Sequence, residues 1–428
     1  MPVLLGVIFL SASVAQEDPL QAGNADLRKA TDNKLSLNFE ERTRWEEKFG
    51  VTFGKDPNQQ DMLSRIRIGA QADPLPWLTI VALGQDTRAP WYGSSAPNTL
   101  RDTMDLHEGY IELFRQRKSG FGALFGRQMT SYGEGRLIGI PQWTNASRTY
   151  DTGRVYYRTQ KVRIEALIVS PVKVRSDAFN TPDLGERIWG IYNIFDKVWK
   201  GASIDFYALR HSQNKIGGWT GDGTLGTNTF GGRFYGPMPH RLEFSVEGDV
   251  QNGHLGPKSQ RAYAWYSGLT RNSTVFRRPL TVSVEYKVAS GTRFGSTQSG
   301  TFDQLAAANH DKFGHLDLFG WRNIQNLRSL ETWSLTKSLT LNVMYNNDWL
   351  YSASDALYNG SGRAIVSSPS GKAGKHVGQE LDGFITYKYG GHLFGAGVGH
   401  FFKGEFVNLT TPQVNPRYFY IFQQYDLK

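Results

Sequence analysis

The feature that most constrains this chain is a short run of alternating apolar and polar residues, repeated from Lys34 to the end of the sequence. Thr281 to Val288 is the clearest case, in which three valines and a tyrosine alternate with Thr281, Ser283, Glu285 and Lys287. Successive side chains of a β-strand point to opposite faces, so a period of two predicts strands with one apolar and one polar face.

About eighteen such runs follow one another along the chain. They lie near residues 33–45, 62–73, 76–86, 105–117, 121–130, 152–160, 161–171, 187–196, 201–211, 228–236, 240–250, 260–269, 279–289, 322–334, 337–350, 377–389, 392–402 and 417–427. Most match the roughly 9 to 11 residues that a tilted strand needs to cross a bilayer. The pattern predicts an all-β fold, a transmembrane antiparallel β-barrel of about 18 strands over residues 33–428. A soluble β-sandwich also alternates, but the length and number of the runs favour the barrel.

The connections between the runs alternate in length. Short ones, 160–161, 335–336 and 390–391, suit periplasmic turns, whereas 131–151, 290–321 and 351–376 suit outer loops or loops folded into the lumen. An outer-membrane barrel has this arrangement, with both chain ends on the periplasmic side.

Composition supports a barrel and narrows its partners. A mean hydropathy of -0.44 is too low for a helical membrane protein, but only alternate residues of a barrel strand need to face lipid. The absence of cysteine excludes a disulfide framework and suits passage through an oxidising periplasm. The net charge is +9, and 29 of the 48 basic residues are arginine, which favours oriented contacts with carboxylates or phosphates. Because these residues are spread among the strands, we expect no nucleic-acid partner.

The N-terminus predicts a targeting segment. Residues 1–15, MPVLLGVIFLSASVA, have an apolar core and small residues before Gln16, which indicates a signal peptide; a buried N-terminal strand is the alternative. Residues 16–32 are polar, and we expect a mobile periplasmic lead-in there.

One stretch, Phe121 to Asp151, carries a distinctive mixture of residues. Arg127, Arg136 and Arg148 lie among Gly, Tyr and Trp. Guanidinium groups bind carboxylates through two hydrogen bonds and aromatic rings stack on sugars, so the mixture suits an anionic carbohydrate. A surface loop without a ligand is the alternative.

The motifs GRQ, YGEGRLIG and W-x-N-x-x-R-x-Y-D in this stretch resemble the alginate export family, outer-membrane β-barrels that pass an anionic uronate polymer out of the cell. Thr301 to Asn326, Asp348 to Tyr358 and Val377 to Phe406 resemble the same family. The resemblance implies a monomeric channel in the outer membrane of a Gram-negative bacterium. It also implies an electropositive constriction, at the matching positions Arg127, Arg136, Arg148 and Arg328.

Alternation adds candidates for the lumen. The polar faces carry the arginines Arg42, Arg44, Arg65, Arg67, Arg154, Arg158 and Arg241. Rings of arginine in a pore concentrate polyanions and exclude cations. Inward acids would pair with them and keep binding weak, and the candidates are Glu243, Glu247, Asp249, Glu380 and Asp382. The alternative to ligand contact is a structural ion pair in the barrel wall, for each of Arg127, Arg136, Arg148 and Arg328.

The leading hypothesis is an anion-selective channel for passive export of an alginate-like exopolysaccharide, in contact with outer-membrane lipid and a periplasmic export partner. The alternatives are a general or oligosaccharide/anion-uptake porin on the same fold and a secreted carbohydrate-binding β-protein. His310 with Asp303, Asp311 and Asp317 lacks the spacing of a metal or hydrolytic motif, so we expect no enzyme, metal or cofactor. His310 and Asp317 are expected to belong to an ordered loop or gate.

Overall fold

The computed structural model describes residues 19–54, 58–114, 119–214, 223–412 and 414–427. The predicted signal peptide, residues 1–15, lies outside these ranges. The lead-in contains a helix that the sequence analysis did not anticipate, α1 (Pro19–Ala30). Asn24 fixes it to the first strand, because its side-chain amide accepts from the Leu37 N–H (2.9 Å) and donates to the Leu37 carbonyl (3.2 Å). No helix within the described ranges is long and apolar enough to cross a membrane.

Eighteen strands form one closed antiparallel barrel. They are β1 (Leu35–Phe49), β2 (Gln59–Leu75), β3 (Leu78–Arg88), β4 (Asp102–Phe114), β5 (Gly120–Gln128), β6 (Tyr150–Arg158), β7 (Val162–Lys173), β9 (Glu186–Trp199), β10 (Ala202–Gln213), β11 (Leu225–Met238), β12 (Leu242–Leu255), β13 (Lys258–Val275), β14 (Arg278–Ala289), β15 (Ile324–Ser334), β16 (Leu339–Leu350), β19 (His376–Tyr389), β20 (His392–Lys403) and β21 (Arg417–Leu427). The remaining elements are the short strands β8 (Thr181–Pro182), β17 (Ala356–Tyr358) and β18 (Ala364–Ser367), a 3₁₀ turn (Gly93–Ser95) and α2 (Glu405–Thr410). The alternating pattern of the sequence does not predict these short elements.

Each barrel strand pairs with its neighbours in the chain, and the first pairs with the last. The β1–β21 register runs from Phe39 opposite Leu427 to Phe49 opposite Arg417, which closes the sheet. Closure leaves no free strand edge, which is the condition for β-structure in lipid. The predicted fold class is therefore confirmed.

The two faces of the wall divide as the alternation predicts. Ile66 and Ile68 on β2 expose 43% and 61% of their surface to the outside, whereas Arg65 and Arg67 between them are buried on the lumen side. Arg241 is an exception among the predicted lumen residues. It lies exposed in the turn 239–241 with a φ of 60°, so the prediction that it lines the lumen is wrong.

Long loops fold into the barrel. Among the described residues they include 129–149, 290–323 and 351–375, which agree within a few residues with the predicted long connections. The first two lie side by side, since the Ala306 N–H donates to the Leu137 carbonyl (2.8 Å) and the Gly139 N–H donates to the Ala306 carbonyl (3.0 Å). Their apolar side chains, including Ile138, Phe302 and Trp321, pack into one core with tyrosines of the wall. This core fills much of the space that a barrel of this size encloses.

Candidate functional site

Four buried arginines on β1 and β2 point into the lumen: Arg42, Arg44, Arg65 and Arg67. Alternation places them there, because each is separated from the next on its strand by one outward residue. Arg42 lies directly opposite Arg65 in the strand register. Like charges in that position repel each other, so the pair requires oxygen atoms around it.

Backbone carbonyl groups of loop 129–149 supply many of these oxygen atoms. Arg42 donates to the carbonyls of Gln142 (3.0 Å), Trp143 (3.2 Å) and Thr144 (3.2 Å). Arg44 donates to the Trp143 carbonyl as well (2.6 Å). These arginines, predicted to line open water, therefore hold the loop against the wall.

Carboxylates complete the cluster. Glu40 accepts from both Arg65 and Arg67, and Arg67 also donates to the side chain of Gln85 (2.8 Å). The Nε of Arg44 lies 2.9 Å from a carboxylate oxygen of Glu46. Arg42 has no such acid, since among the described residues no carboxylate pairs with it.

A cavity of about 690 Å³ lies beside this cluster, at the end of the barrel that carries the short turns. Loop 290–323 contributes His310 and Lys312 to its lining. Its other charged residues are Glu40, Arg42, Arg65, Arg67, Glu134 and Asp311. The lining is therefore rich in both signs of charge, with one more basic group than acidic when His310 is neutral.

A second cavity, of about 450 Å³, lies toward the long loops. Its lining mixes neutral polar residues with apolar ones, and its charged residues are Arg148 and Asp317. Arg148 donates to the carbonyls of Ala306 (2.6 Å) and Ala307 (3.2 Å). In the described part of the chain no carboxylate forms an ion pair with it.

Pro141, Trp143 and His310 line both cavities and form the boundary between them. The Trp143 and His310 rings are stacked, with centroids 4.8 Å apart and planes inclined by 7°. The indole N–H of Trp143 donates to the Tyr418 hydroxyl (3.0 Å), and the Arg44 guanidinium lies 4.1 Å from the indole centroid. We call Pro141, Trp143 and His310 the constriction.

The predicted loop residues His310 and Asp317 meet at this boundary. The Nδ1 atom of His310 lies 2.8 Å from a carboxylate oxygen of Asp317, and both residues line the second cavity. His310 also stacks on His315, with a centroid distance of 4.8 Å. Their action as a gate stays a prediction.

Two of the arginines taken from the resemblance point into the lumen but are neutralised. Arg136 donates to Glu134 (2.6 Å) and Glu247 (3.0 Å), and its guanidinium covers the Tyr266 ring at 3.3 Å. Arg328 donates to Glu285 (2.8 Å). Both therefore form wall or loop ion pairs, the alternative that the sequence left open.

The prediction that Arg127 lines the lumen is wrong. On β5 it shares a face with Phe121 and Phe125, which are exposed on the outer surface. It lies opposite Asp151 in the register and binds that carboxylate, while the neighbouring Tyr150 points inward. Strand geometry thus places this ion pair on the outer wall.

Arg154 and Arg158 do alternate with outward residues of β6. Arg154 lies 3.9 Å from Glu165, an acid on the lumen face of β7. Arg158 instead covers aromatic rings, with its guanidinium 5.3 Å from the Tyr156 centroid and 5.8 Å from that of Phe114.

Only one of the five predicted lumen acids pairs with an arginine within the described residues, and that is Glu247. Asp249 accepts from the Tyr207 hydroxyl (2.9 Å), and Glu243, exposed near the strand end, accepts from Asn272 (3.0 Å). The expectation that these acids neutralise arginines is therefore wrong for the other four.

Glu380 and Asp382 hold loop 290–323 instead. Glu380 accepts from the Leu316 N–H (3.0 Å) and Asp382 from the His315 N–H (3.4 Å). A Cβ atom at Gly314 would lie 2.1 Å from a carboxylate oxygen of Glu380, and Gly314 has a φ of 104°. Only glycine lets the loop approach the wall this closely.

Two anchors of the loops were missed. The Asn145 side chain, fully buried, donates to the carbonyls of Ser64 (2.9 Å), Arg88 (3.1 Å) and Leu100 (2.9 Å). Asn145 is the asparagine of the motif W-x-N-x-x-R-x-Y-D, but its residue type does not show which backbone carbonyls it binds.

The second missed anchor is Asp303, which the sequence analysis considered only as part of a metal or catalytic group. It binds His211 Nδ1 (2.6 Å) and Arg322 (2.7 Å). Burial alone would raise the pKa of Asp303, but these two partners hold it below its usual range. The residue is therefore an ionised clamp between loop 290–323 and β10.

His315 makes docking of this loop depend on pH. Burial, reinforced by the neighbouring His310, lowers the pKa of His315 to about 3. An undocked histidine binds a proton below about pH 6.5, whereas the docked site resists protonation until about pH 3, so docking weakens as the pH falls through this window.

Between pH 7.5 and pH 5 in detergent, acidification should raise the protease accessibility of loop 290–323 more in the unmodified protein than in His315→Gln, which removes this titrating group. An equal rise in the variant and the unmodified protein would contradict the assignment to His315.

A closed eighteen-strand barrel with loops folded into its lumen defines a channel of the outer-membrane porin class. The sequence matches the alginate export family over residues 33–421, and the chain belongs to this family. It is an outer-membrane protein, and its family and fold are those of transport channels. A comparison with curated proteins gives no match.

Solved porins share the fold at low sequence identity. OccK11 (OpdR) of Pseudomonas aeruginosa is 10% identical, with a TM-score of 0.62 over 92% of this chain and 96% of that one. The outer-membrane protein opdK of P. aeruginosa is 8% identical, with a TM-score of 0.63 over 92% and 98%. A BenF-like porin of Pseudomonas fluorescens Pf-5 gives the same values. The likeness extends to the fold alone.

Proposed function

We propose that this protein is a passive export channel for an anionic exopolysaccharide, an alginate-like uronate polymer. The observation that carries the proposal is the pair of cavities on either side of the constriction. Each presents an arginine without a carboxylate partner in the described structure, Arg42 in the first and Arg148 in the second. Together with the family membership, this favours a polyanion as the cargo.

Uncompensated guanidinium groups between low-dielectric walls raise the local concentration of anions. Passage also requires weak binding at each step. The acids Glu40, Glu134 and Asp311 in the first cavity limit the positive potential there. The second cavity adds neutral donors and acceptors from Asn98, Thr99 and Ser361, which suit sugar hydroxyl groups.

Replacing Arg148 by glutamate should lower the flux of uronate oligomers through reconstituted liposomes by about tenfold and reduce anion selectivity, since the change reverses the charge beside the constriction. Arg127→Gln is the control, because it removes an arginine from the outer wall and should leave flux unchanged. Equal flux and selectivity for Arg148→Glu and the unmodified protein would remove Arg148 from the path.

A second candidate, an uptake porin for small anions or oligosaccharides, is favoured by the size of the cavities. Their volumes of about 690 and 450 Å³ fall in the range of small-ligand sites, about 300–1,000 Å³. Single-channel recordings separate the two candidates. Block of the current by polymannuronate or polyguluronate at low concentration supports export, whereas free passage of small sugars without block supports uptake.

A further inference from the structure

The outer wall carries a groove of about 640 Å³ across β16, β19, β20, β21 and the end of β1. The side chains that line it from outside are Phe49, Val343, Leu381, Val398 and Phe419. The last four expose between 38% and 54% of their surface, while their strand neighbours Asp382 and Tyr418 are buried on the lumen side. The groove therefore faces the membrane.

Gly383 forms the floor of the groove. In the register it lies between Val343 on β16 and Val398 on β20, both of which point outward. A Cβ atom at Gly383 would meet nothing within 4 Å. The depression thus exists because a side chain is missing from the middle of an apolar row.

Two basic residues stand at one end of the groove. His400 and Arg417 are directly opposite each other on β20 and β21, and both belong to its lining. Leu381 lies beside His400 on one side, and Phe49 lies opposite Arg417 on the other, with the Arg417 guanidinium 5.4 Å from its ring centroid. The basic pair is therefore embedded in an otherwise apolar surface.

Among the residues that the structure describes, this pair has no acid partner. The nearest carboxylate on the same face of β1 is Glu47, opposite Phe419 and one step further from the rim, and within the described residues it forms no ion pair with Arg417. Arginine offers a fork of N–H donors and histidine a ring N–H. The two side chains can therefore bind one anion together, with the positive charge supplied by Arg417.

The position along the strands identifies the membrane leaflet. Arg417 is the first residue of β21 and Phe49 the last of β1, so the pair lies at the long-loop end. Long loops of such barrels are extracellular, so the apolar part of the groove extends from the outer rim toward the membrane centre.

We propose that this groove binds a phosphorylated, acylated glycolipid of the outer leaflet. Its phosphate bonds to Arg417 and His400, and one acyl chain lies over Gly383 between Val343, Val398 and Phe419. The positive charge at the rim matches the phosphate of such a lipid. The apolar row beneath it matches the acyl chain. Another outer-wall groove, lined by Trp77, Phe121 and Tyr157, has no charged residue in the described part of its lining and matches only an acyl chain.

The test uses the full chain, purified in detergent and stripped of lipid, with bisphosphorylated hexa-acyl lipid A as the probe and native mass spectrometry as the readout. Arg417→Gln should weaken binding by about fivefold, the value of one basic side chain at an anionic membrane surface, and His400→Gln should weaken it by less, because it removes a hydrogen-bond donor and not a full charge. Gly383→Leu fills the groove and should weaken binding of the same lipid without altering the barrel.

Gly153→Leu is the matched control. Gly153 also faces outward, on β6, and its nearest neighbour would be Ile168 at 3.4 Å from the added Cβ. Its binding should equal that of the unmodified protein, and heat-modified mobility in gels verifies that each variant is folded. The proposal is overturned if Gly383→Leu binds lipid A normally or if dephosphorylated lipid A binds equally well. Competition by inorganic phosphate at the same concentration as the lipid would also overturn it, because the site would then take a free anion.

Discussion

Asp303→Ala should release loop 290–323 from the barrel wall and raise single-channel conductance severalfold. Alanine removes the carboxylate that binds His211 and Arg322, while the charge of Arg322 stays buried. Breaking a buried ion pair in this way costs about 3–5 kcal/mol. The barrel itself should survive, because its strand ladder closes without the loop. Planar-bilayer recordings give the conductance, and Trp321 fluorescence reports the environment of the loop.

Asp86→Ala is the control for this change. Asp86 lies on the outer face of β3 and pairs with Arg88, of which 49% is exposed, so removal of its charge should cost little. If conductance and loop protection in Asp303→Ala match those of the control, then Asp303 does not hold the loop.

The sequence was sufficient for the wall because a barrel strand shows its two faces locally. Ile66 and Ile68 face lipid, whereas Arg65 and Arg67 face the lumen. The alternation of residue types within the five residues 64–68 is enough to predict this. Every one of the eighteen predicted runs corresponds to a barrel strand, although the boundaries shift by a few residues. Antiparallel neighbours then fix the order of the sheet without further information.

The interior could not be predicted in the same way, since its contacts join distant segments. Arg42 is 100 residues from the Gln142 carbonyl that it binds. Its charge and inward face are visible in the sequence, but backbone acceptors leave no trace in residue types. The prediction that these arginines line open water was therefore incomplete. It considered only side chains and solvent as their partners, and not backbone carbonyls.

For Arg127, by contrast, the sequence alone was enough to predict the face of the strand on which the side chain lies. Phe121, Phe125 and Arg127 fall on one face of β5 by simple alternation, and the two phenylalanines mark that face as the outer one. The assignment to the lumen came from the family resemblance and disregarded this parity. Local periodicity is the stronger guide within a strand, because a shift by one residue reverses every side chain.

Replacing Trp143 and His310 together by alanine should join the two cavities and raise conductance without freeing loop 129–149. The stacked rings lie where the two cavities meet, so their removal opens a passage between the cavities. The loop should remain docked, because Arg42 and Arg65 bind its backbone carbonyls and Asn145 donates to three wall and loop carbonyls. None of these contacts uses the removed rings.

Trp189→Ala provides the comparison, since Trp189 is an outward residue of β9 with 37% of its surface exposed. Conductance of the double variant should exceed that of both Trp189→Ala and the unmodified protein, while protease protection of residues 129–149 stays the same in all three. An unchanged current would mean that ions bypass Trp143 and His310. A raised current together with lost protection would mean that the rings hold the loop in place, and the carbonyl contacts of Arg42 would then be too weak to do so alone.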